Sequence, residues 1–255
     1  MSYQLQNESE VREYLEKLAI EYRFGCYSEK KPEVCHLLGD YLEGIKKDFE
    51  KASKVYKSNC NDYDYAKSCY KIGAYNFLGK GQRNSKGDLK QAYHYFEKGC
   101  NLDDPESCLH AGLILMSKVI SKEVERNVPK GVDFLEKSCQ MKNALACFYL
   151  SGMHISGVNE KNNLDSKNDS NRNSSSSSTN YIIPKDMKKA FSFSQRACEL
   201  GNMYACANLS QMYAKGDGVE KSEANAEKFK KLSLEMQDEV KKAQPALSFQ
   251  QGINS

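Results

Sequence analysis

A chain of 255 residues with 40% hydrophobic residues, 16 glycines and 5 prolines holds enough apolar matter for a folded core and too little Pro plus Gly for disorder throughout. Its 37 basic and 34 acidic residues are interspersed and leave a net charge of +3, a pattern of solvated helix faces that argues against nucleic acid as a partner. No run approaches the 18 apolar residues of a membrane-spanning helix, and Met1–Glu10 lacks the apolar stretch of a secretory signal, so a soluble chain with no integral membrane segment is expected.

In chain order, a leading helix is predicted over about residues 8–25. Helix pairs follow at about 33–60, 66–100, 105–139, 143–199 and 203–235, giving a single all-α solenoid of about five antiparallel helix hairpins over 8–240. The marks of the period are five cysteine pairs: Cys26/Cys35, Cys60/Cys69, Cys100/Cys108, Cys139/Cys147 and Cys198/Cys206. Eight residues separate the first two pairs and seven the rest, and the second cysteines recur after 34, 39, 39 and 59 residues. Other positions keep step. Four residues after the second cysteine stand Gly39, Gly73, Gly112, Ser151 and Ser210, and two further on Tyr41, Tyr75, Ile114, Met153 and Met212. Eight residues before the first cysteine of pairs two to five stand Ala52, Ala92, Gly131 and Ala190, with Val55, Tyr95, Phe134 and Phe193 three later. Small and large residues three apart share a helical face, the small ones admitting a neighbouring helix and the large ones filling the gap.

Each hairpin then reads as helix A beginning near a second cysteine and helix B ending at the next first cysteine, with turn chemistry in Gly79-Lys80-Gly81 and Gly216-Asp217-Gly218-Val219. The long fourth interval reflects a Ser/Asn-rich stretch at 157–184, which cannot bury a core and is expected to be disordered. The polar segment Ser222–Lys228 suits a solvated capping helix, and after Gln244-Pro245 an irregular tail over 241–255 is expected.

Ten paired cysteines fit an oxidising compartment, which conflicts with the absent secretory signal. Each pair joins the end of one B helix to the start of the next A helix, ends that lie close in a stacked hairpin array, so disulfide staples are expected. Zinc ligands, the rival reading, come as C-x2-C or C-x4-C.

The pattern small-x-Tyr-x-x-Gly, followed by an Ala, an aromatic and a closing Ala-Cys or Gly-Cys, resembles the Sel-1-like repeat family of α-solenoids. Cys35-x5-Tyr41-Leu42-Glu43-Gly44, Ser68-Cys69-Tyr70-Lys71 and Ala205-Cys206-Ala207-Asn208 are similar to a cysteine-rich animal branch of it that serves assembly of respiratory complex IV. The resemblance spans about residues 8–240 without the insertion. It implies a monomer in the mitochondrial intermembrane space that is brought in by an oxidative import receptor, and partners among complex IV assembly proteins and copper metallochaperones. That placement would reconcile paired cysteines with an intact polar N-terminus, although the twin C-x9-C spacing of many relay substrates is absent. The resemblance further implies haem as a cofactor and thiol reduction of copper chaperones. It makes His110 and Met116, on helix A of repeat three, the cofactor-binding candidates among His36, His94, His110 and His154.

No catalytic residues are expected. None of the pairs is the C-x-x-C of a redox site, although each second cysteine falls in the first turn of a helix, where the dipole would favour a thiolate. A β-lactamase-like enzyme, known among bacterial relatives, is a rival, but Ser28-Glu29-Lys30-Lys31 is a lone match to its Ser-x-x-Lys motif. A secreted binding protein is another, with Asn7, Asn168, Asn173 and Asn208 as glycan acceptors. For protein recognition Tyr41, Tyr75 and Tyr213 are candidate anchors on a concave face, and Tyr41 and Tyr75 also suit packing between helices.

Overall fold

The computed structural model describes residues 8–81, 86–117, 123–159 and 181–251. Helices α1 (Glu8–Tyr27), α2 (Pro32–Gly44), α3 (Phe49–Tyr63), α4 (Ala66–Leu78), α5 (Leu89–Asn101) and α6 (Pro105–Met116) are followed by α7 (Val128–Gln140) and α8 (Ala144–Ser156). Strands β1 (Val158–Asn159) and β2 (Tyr181–Ile183) precede α9 (Met187–Glu199), α10 (Met203–Lys215) and α11 (Glu223–Gln251).

The helices start where side chains can satisfy their first backbone donors. Asp48, Asp88, Asn127, Asn143, Asp186 and Asn202 each cap a helix by accepting from the backbone N–H three residues on, a contact worth about 1 kcal/mol apiece. Asp104 does the same for α6 through the Ser107 N–H at 2.7 Å. Gly79 and Gly216 end α4 and α10 in the left-handed conformation, at φ 68° and 82°.

Between a B helix and the next A helix the chain turns in a few residues, and each of these turns holds one residue with positive φ. They are Lys30 (54°), Asp64 (50°), Asp103 (61°), Lys142 (68°) and Gly201 (92°), each five residues before a second cysteine. Only one of the five is the glycine that such a conformation favours, so the sequence hides the regularity.

Contacts divide the chain into two compact units, Met1–Ile114 with Val119–Glu125, and Leu115–Lys118 with Arg126–Ser255. In the first, buried Leu38, Tyr56, Ile72, Tyr75 and Phe96 pack around the disulfides. Gly39 and Gly73 admit the rings of Tyr56 and Phe96, against which a Cβ would collide. In the second, Leu135, Leu150, Met153, Leu209 and Met212 form the buried set. There the small position carries serine: Ser151 Oγ donates to the Ala190 carbonyl at 3.0 Å and lies 2.6 Å from Ser194 Oγ, while Ser210 Oγ donates to the Ala226 carbonyl at 2.8 Å.

Three expectations are corrected. Val55 and Tyr95 are buried as expected, but the ring that meets the small residue of the A helix stands four residues after the alanine, at Tyr56 and Phe96, and Phe134 and Phe193 are half-exposed. Both spacings share a helical face, so periodicity alone does not separate them. The ends of the 157–184 insertion are ordered, because Val158 pairs with Ile183 and Asn159 with Tyr181 in a short antiparallel ribbon; apolar Val158 and Ile183 supply its strand character, and residues 160–180 lie outside the described residues. Finally, α11 continues through Pro245 to Gln251, although an interior proline lacks a backbone donor and crowds the carbonyl four residues back. Residues 252–255 of the expected tail lie outside the described residues.

Candidate functional site

The cysteines were the first chemistry expected of this chain, and all five pairs are bonded: Cys26–Cys35 and Cys100–Cys108 with Cα–Cα separations of 4.5 Å, and Cys60–Cys69, Cys139–Cys147 and Cys198–Cys206 with 4.8 Å. No free cysteine remains among the described residues. Each second cysteine, Cys35, Cys69, Cys108, Cys147 and Cys206, is the fourth residue of its A helix, at the end of the first turn and inside the packed seam. The helix dipole therefore has no thiolate to favour there. Cys108 shows this most plainly: it is wholly buried, and its Sγ, 3.7 Å from the Cys100 carbonyl oxygen, is bonded to Cys100 and carries no proton to donate. Buried to this degree, the bridges act first as staples. Cys26–Cys35 and Cys198 also line cavities.

Sequence reasoning missed a polar cluster built by α2, α3 and α4. The Tyr56 hydroxyl donates to Asp40 Oδ1 at 2.6 Å and to Glu43 Oε2 at 3.2 Å. Lys71 Nζ reaches Glu43 Oε2 at 2.8 Å and Asp40 Oδ1 at 3.3 Å, and Lys80 Nζ reaches Glu43 Oε1 at 2.7 Å. Lys80 also lies over the rings of Phe49 (4.3 Å) and Tyr75 (5.2 Å). Burial pushes the Glu43 carboxyl up, but the hydrogen bonds and charges of Lys71 and Lys80 outweigh it and hold the group at about 2. Burial and the hydrogen bond to Asp40 push the Tyr56 hydroxyl far up, so it stays a donor. Beside it the His36 ring, Nδ1 2.9 Å from Ser68 Oγ, is held below the ordinary histidine range, mainly by burial. The available signal was the pair of carboxylates Asp40 and Glu43, three apart on α2, with the core residue Tyr41 between them.

Among α1, α2 and α3 lies a cavity of about 840 Å³. Its floor is apolar, formed by Cys26–Cys35, Leu38, Leu42 and Val55, and Tyr27 and Tyr63 stand at its sides. Arg23, Lys46, Lys51 and Lys54 line it against one carboxylate, Asp48. Asn59, almost fully buried, donates to the Pro32 carbonyl and to Ser68 Oγ, both at 2.8 Å, and helps close the floor. In the second unit a smaller cavity of about 350 Å³ is lined by Phe191, Tyr213 and Phe229 with Cys198 and Leu209. There Tyr213 stacks on Phe229 at 5.6 Å and meets Phe191 edge-on at 5.3 Å.

Of the tyrosines considered as anchors, Tyr41 and Tyr75 are core residues and Tyr213 is half-buried in this stack. His110 Nδ1 lies 2.8 Å from the Glu106 carbonyl, and its ring stacks on Phe96 at 5.0 Å. Met116 is buried at the far end of the same helix. Six residues of α-helix separate them by about 9 Å along the axis and by about 240° around it. They do not fit as axial ligands of one haem iron, and neither residue lines either cavity above. His94 packs edge-on against Tyr95 at 5.1 Å. His154 is buried with its ring stacked on Phe193 at 5.7 Å, and burial holds it below the ordinary range. Lys31 of the Ser-x-x-Lys match is paired with Glu29 at 2.9 Å. Asn208 lies within α10, and the other three glycan acceptors lie outside the described residues. Among the described residues no group of three His, Cys, Asp or Glu is placed to hold a metal ion, and no helix is long and apolar enough to cross a membrane.

A model of the Sel1 repeat matches residues 32–52, 66–104, 120–143, 179–202 and 204–229. The chain is 64% identical to the Drosophila melanogaster cytochrome c oxidase assembly factor 7 homolog, over 99% of this chain and 98% of that one. It is 38% identical to cytochrome c oxidase assembly factor 7 of Xenopus tropicalis, covering 91% of each chain, and 35% identical to the Homo sapiens protein of that name, covering 96% of each. A protective antigen of uropathogenic Escherichia coli with an SLR fold superposes with a TM-score of 0.64 at 17% identity, over 86% of this chain and 40% of the antigen. A Sel1 repeat protein from Oxalobacter formigenes does so with a TM-score of 0.58 at 18% identity, over 79% and 68%. Both solved structures share the fold of hairpin repeats.

Proposed function

Since this chain belongs to the Sel1-repeat family that includes cytochrome c oxidase assembly factor 7, we propose that it serves assembly of respiratory complex IV by binding other proteins in the mitochondrial intermembrane space. The observation that carries this reading is the 64% identity over nearly the whole length of a relative bearing that name. Five bonded cysteine pairs support the compartment, because such bridges persist where thiols are oxidised. An oxidative import receptor would introduce them, and complex IV assembly proteins and copper metallochaperones are the partners of this reading.

Binding, and not bond-making, is the proposed mode of action. The tightest polar cluster, around Glu43, is saturated by its own lysines, and the bonded cysteines act as staples. No step is routed through haem, which His110 and Met116 do not fit as a pair.

The test removes the chain from its own cells and resolves respiratory complexes by native electrophoresis, with protease protection of fractionated mitochondria for location. Loss of complex IV with the other complexes intact, restored by re-expression, is expected. Normal complex IV, or a chain found outside the intermembrane space, would overturn the reading.

A further inference from the structure

The α1–α2–α3 cavity has the dimensions and charge of a seat for a helix. On α3 its lining runs from Lys51 to Tyr63, a rise of about 18 Å, or three helical turns. On α2 it runs from Cys35 to Leu42, about 10 Å, and Lys46 lines it just beyond the end of that helix. A trough of that length with an apolar floor suits an amphipathic helix that sets down anchors at i, i+3, i+4 and i+7.

The surface continues onto α1. Ile20, Phe24 and Tyr27, at i, i+4 and i+7, are 64%, 59% and 64% exposed, and Tyr27 belongs to both this stripe and the cavity wall. Such a stripe on a soluble helix is left for a partner.

Charge selects the occupant. Four cations line the trough against the single carboxylate of Asp48. Lys51 is paired with Asp48 and Lys54 with Glu50, both at 2.8 Å on the solvated surface, where such pairs exchange readily. Arg23 and Lys46 have no carboxylate partner among the described residues, and Lys46 lies 5.8 Å from the Tyr41 ring centre. Arg23 on α1 and Lys51 on α3 both line the trough beside its apolar floor. A carboxylate entering the trough would meet positive side chains from two helices.

We infer that this trough receives an acidic amphipathic helix of a partner protein, its apolar face on Leu42, Tyr27 and Tyr63 above the buried Leu38 and Val55 and its carboxylates near Arg23, Lys46 and Lys51. The inference rests on the reading of the chain as a protein-binding assembly factor and names the partner chemistry for one of its surfaces.

The probe is a 15-residue synthetic helix with leucines at i, i+3, i+4 and i+7 and glutamates on both flanks, titrated into the full oxidised chain. Amide shifts map the contact by NMR, and a fluorescent label reports affinity. Shifts centred on Tyr27, Leu42 and Tyr63 are expected, with affinity at least tenfold weaker for the same probe carrying lysine in place of glutamate. Arg23→Glu with Lys46→Glu should weaken the acidic probe at least tenfold, and Arg23→Gln with Lys46→Gln should weaken it less while keeping the fold. Unchanged amide spectra away from the trough, with bridges intact by non-reducing mass spectrometry, establish that the variants are folded. Equal affinity for both probes, shifts elsewhere, a second copy of the chain occupying the trough, or preference for phospholipid micelles would each overturn the inference. Peptide binding and complex IV assembly are separate readouts, so a chain that binds the probe yet is dispensable for complex IV would sink the functional reading alone, and the converse would sink the trough alone.

Discussion

Gly39 on α2 and Tyr56 on α3 occupy one space: the tyrosine ring stands where a side chain on the glycine would begin. One repeat later Gly73 and Phe96 stand in the same relation, and in the second unit Ser151 and Ser194 meet through their hydroxyls at 2.6 Å. A ring on helix B thus goes with no side chain on helix A, and a serine with a serine, which keeps the helices close by different means.

Adding a methyl group there is expected to overpack the seam. Gly39→Ala and Gly73→Ala should each lower unfolding free energy by about 1–3 kcal/mol, although alanine favours a helix elsewhere. Gly152 on α8 has open space around the position of a Cβ, so Gly152→Ala should stabilise by about 0.5–1 kcal/mol. Urea denaturation of the three variants checks the contrast, and equal effects would refute the packing account.

Lys142 and Lys30 hold the left-handed conformation at φ 68° and 54° in turns where Gly201 takes the fifth equivalent place. A side chain in that region costs about 1–2 kcal/mol, and glycine gives back part of this through its freer unfolded chain. Lys142→Gly is therefore expected to stabilise by about 0.5–1 kcal/mol, whereas Gly201→Ala should destabilise. Thermal unfolding of the two variants at equal bridge content reads the sign directly.

Acid should act on this fold in two stages. Glu43 titrates at about 2 in the folded state against 4.5 as its ordinary value, so the folded state prefers the deprotonated form. Its contribution is complete above about pH 4.5 and is lost as pH falls towards about 2. His36 and His154 are held below 6.5 by burial. The folded state prefers them neutral, and stability begins to erode as pH falls below about 6.5. Unfolding free energy should thus decline from about pH 6.5 and steepen below about 4.5, and Glu43→Gln should flatten only the lower limb. A Glu43→Gln profile parallel to that of the parent down to about pH 2 would contradict the ion cluster.

Each staple closes a loop of nine or ten residues, for which chain entropy gives about 2.5 kcal/mol. Replacing Cys100 and Cys108 together by alanine, or Cys139 and Cys147 together, is expected to cost about that amount. Removing Cys139 alone should cost about the same, because the freed Cys147 thiol keeps its packing and has the residue-139 carbonyl within 3.6 Å as an acceptor. Denaturant titration of single and double variants decides whether the bridges act as staples; a double variant as stable as the parent would deny it.

The periodicity of Cys, Gly and Ala, read along one dimension, was enough to determine the hairpin repeat, the bonded partners and the outer limits of most hairpins, because a two-helix unit repeats its small and cross-linked positions at fixed intervals. Turn positions at Lys30, Asp64, Asp103 and Lys142 were invisible, since four of the five equivalent residues lack the glycine that would mark a positive φ. The sequence also left open which residue meets Gly39, as spacings of three and four share one helical face. The Asp40–Glu43–Lys71–Lys80 cluster and the cationic trough were decided only by tertiary structure. Each gathers charges from two helices and an adjoining turn that in sequence look like ordinary solvated faces, and Coulomb energy depends on distances through space that no linear pattern carries.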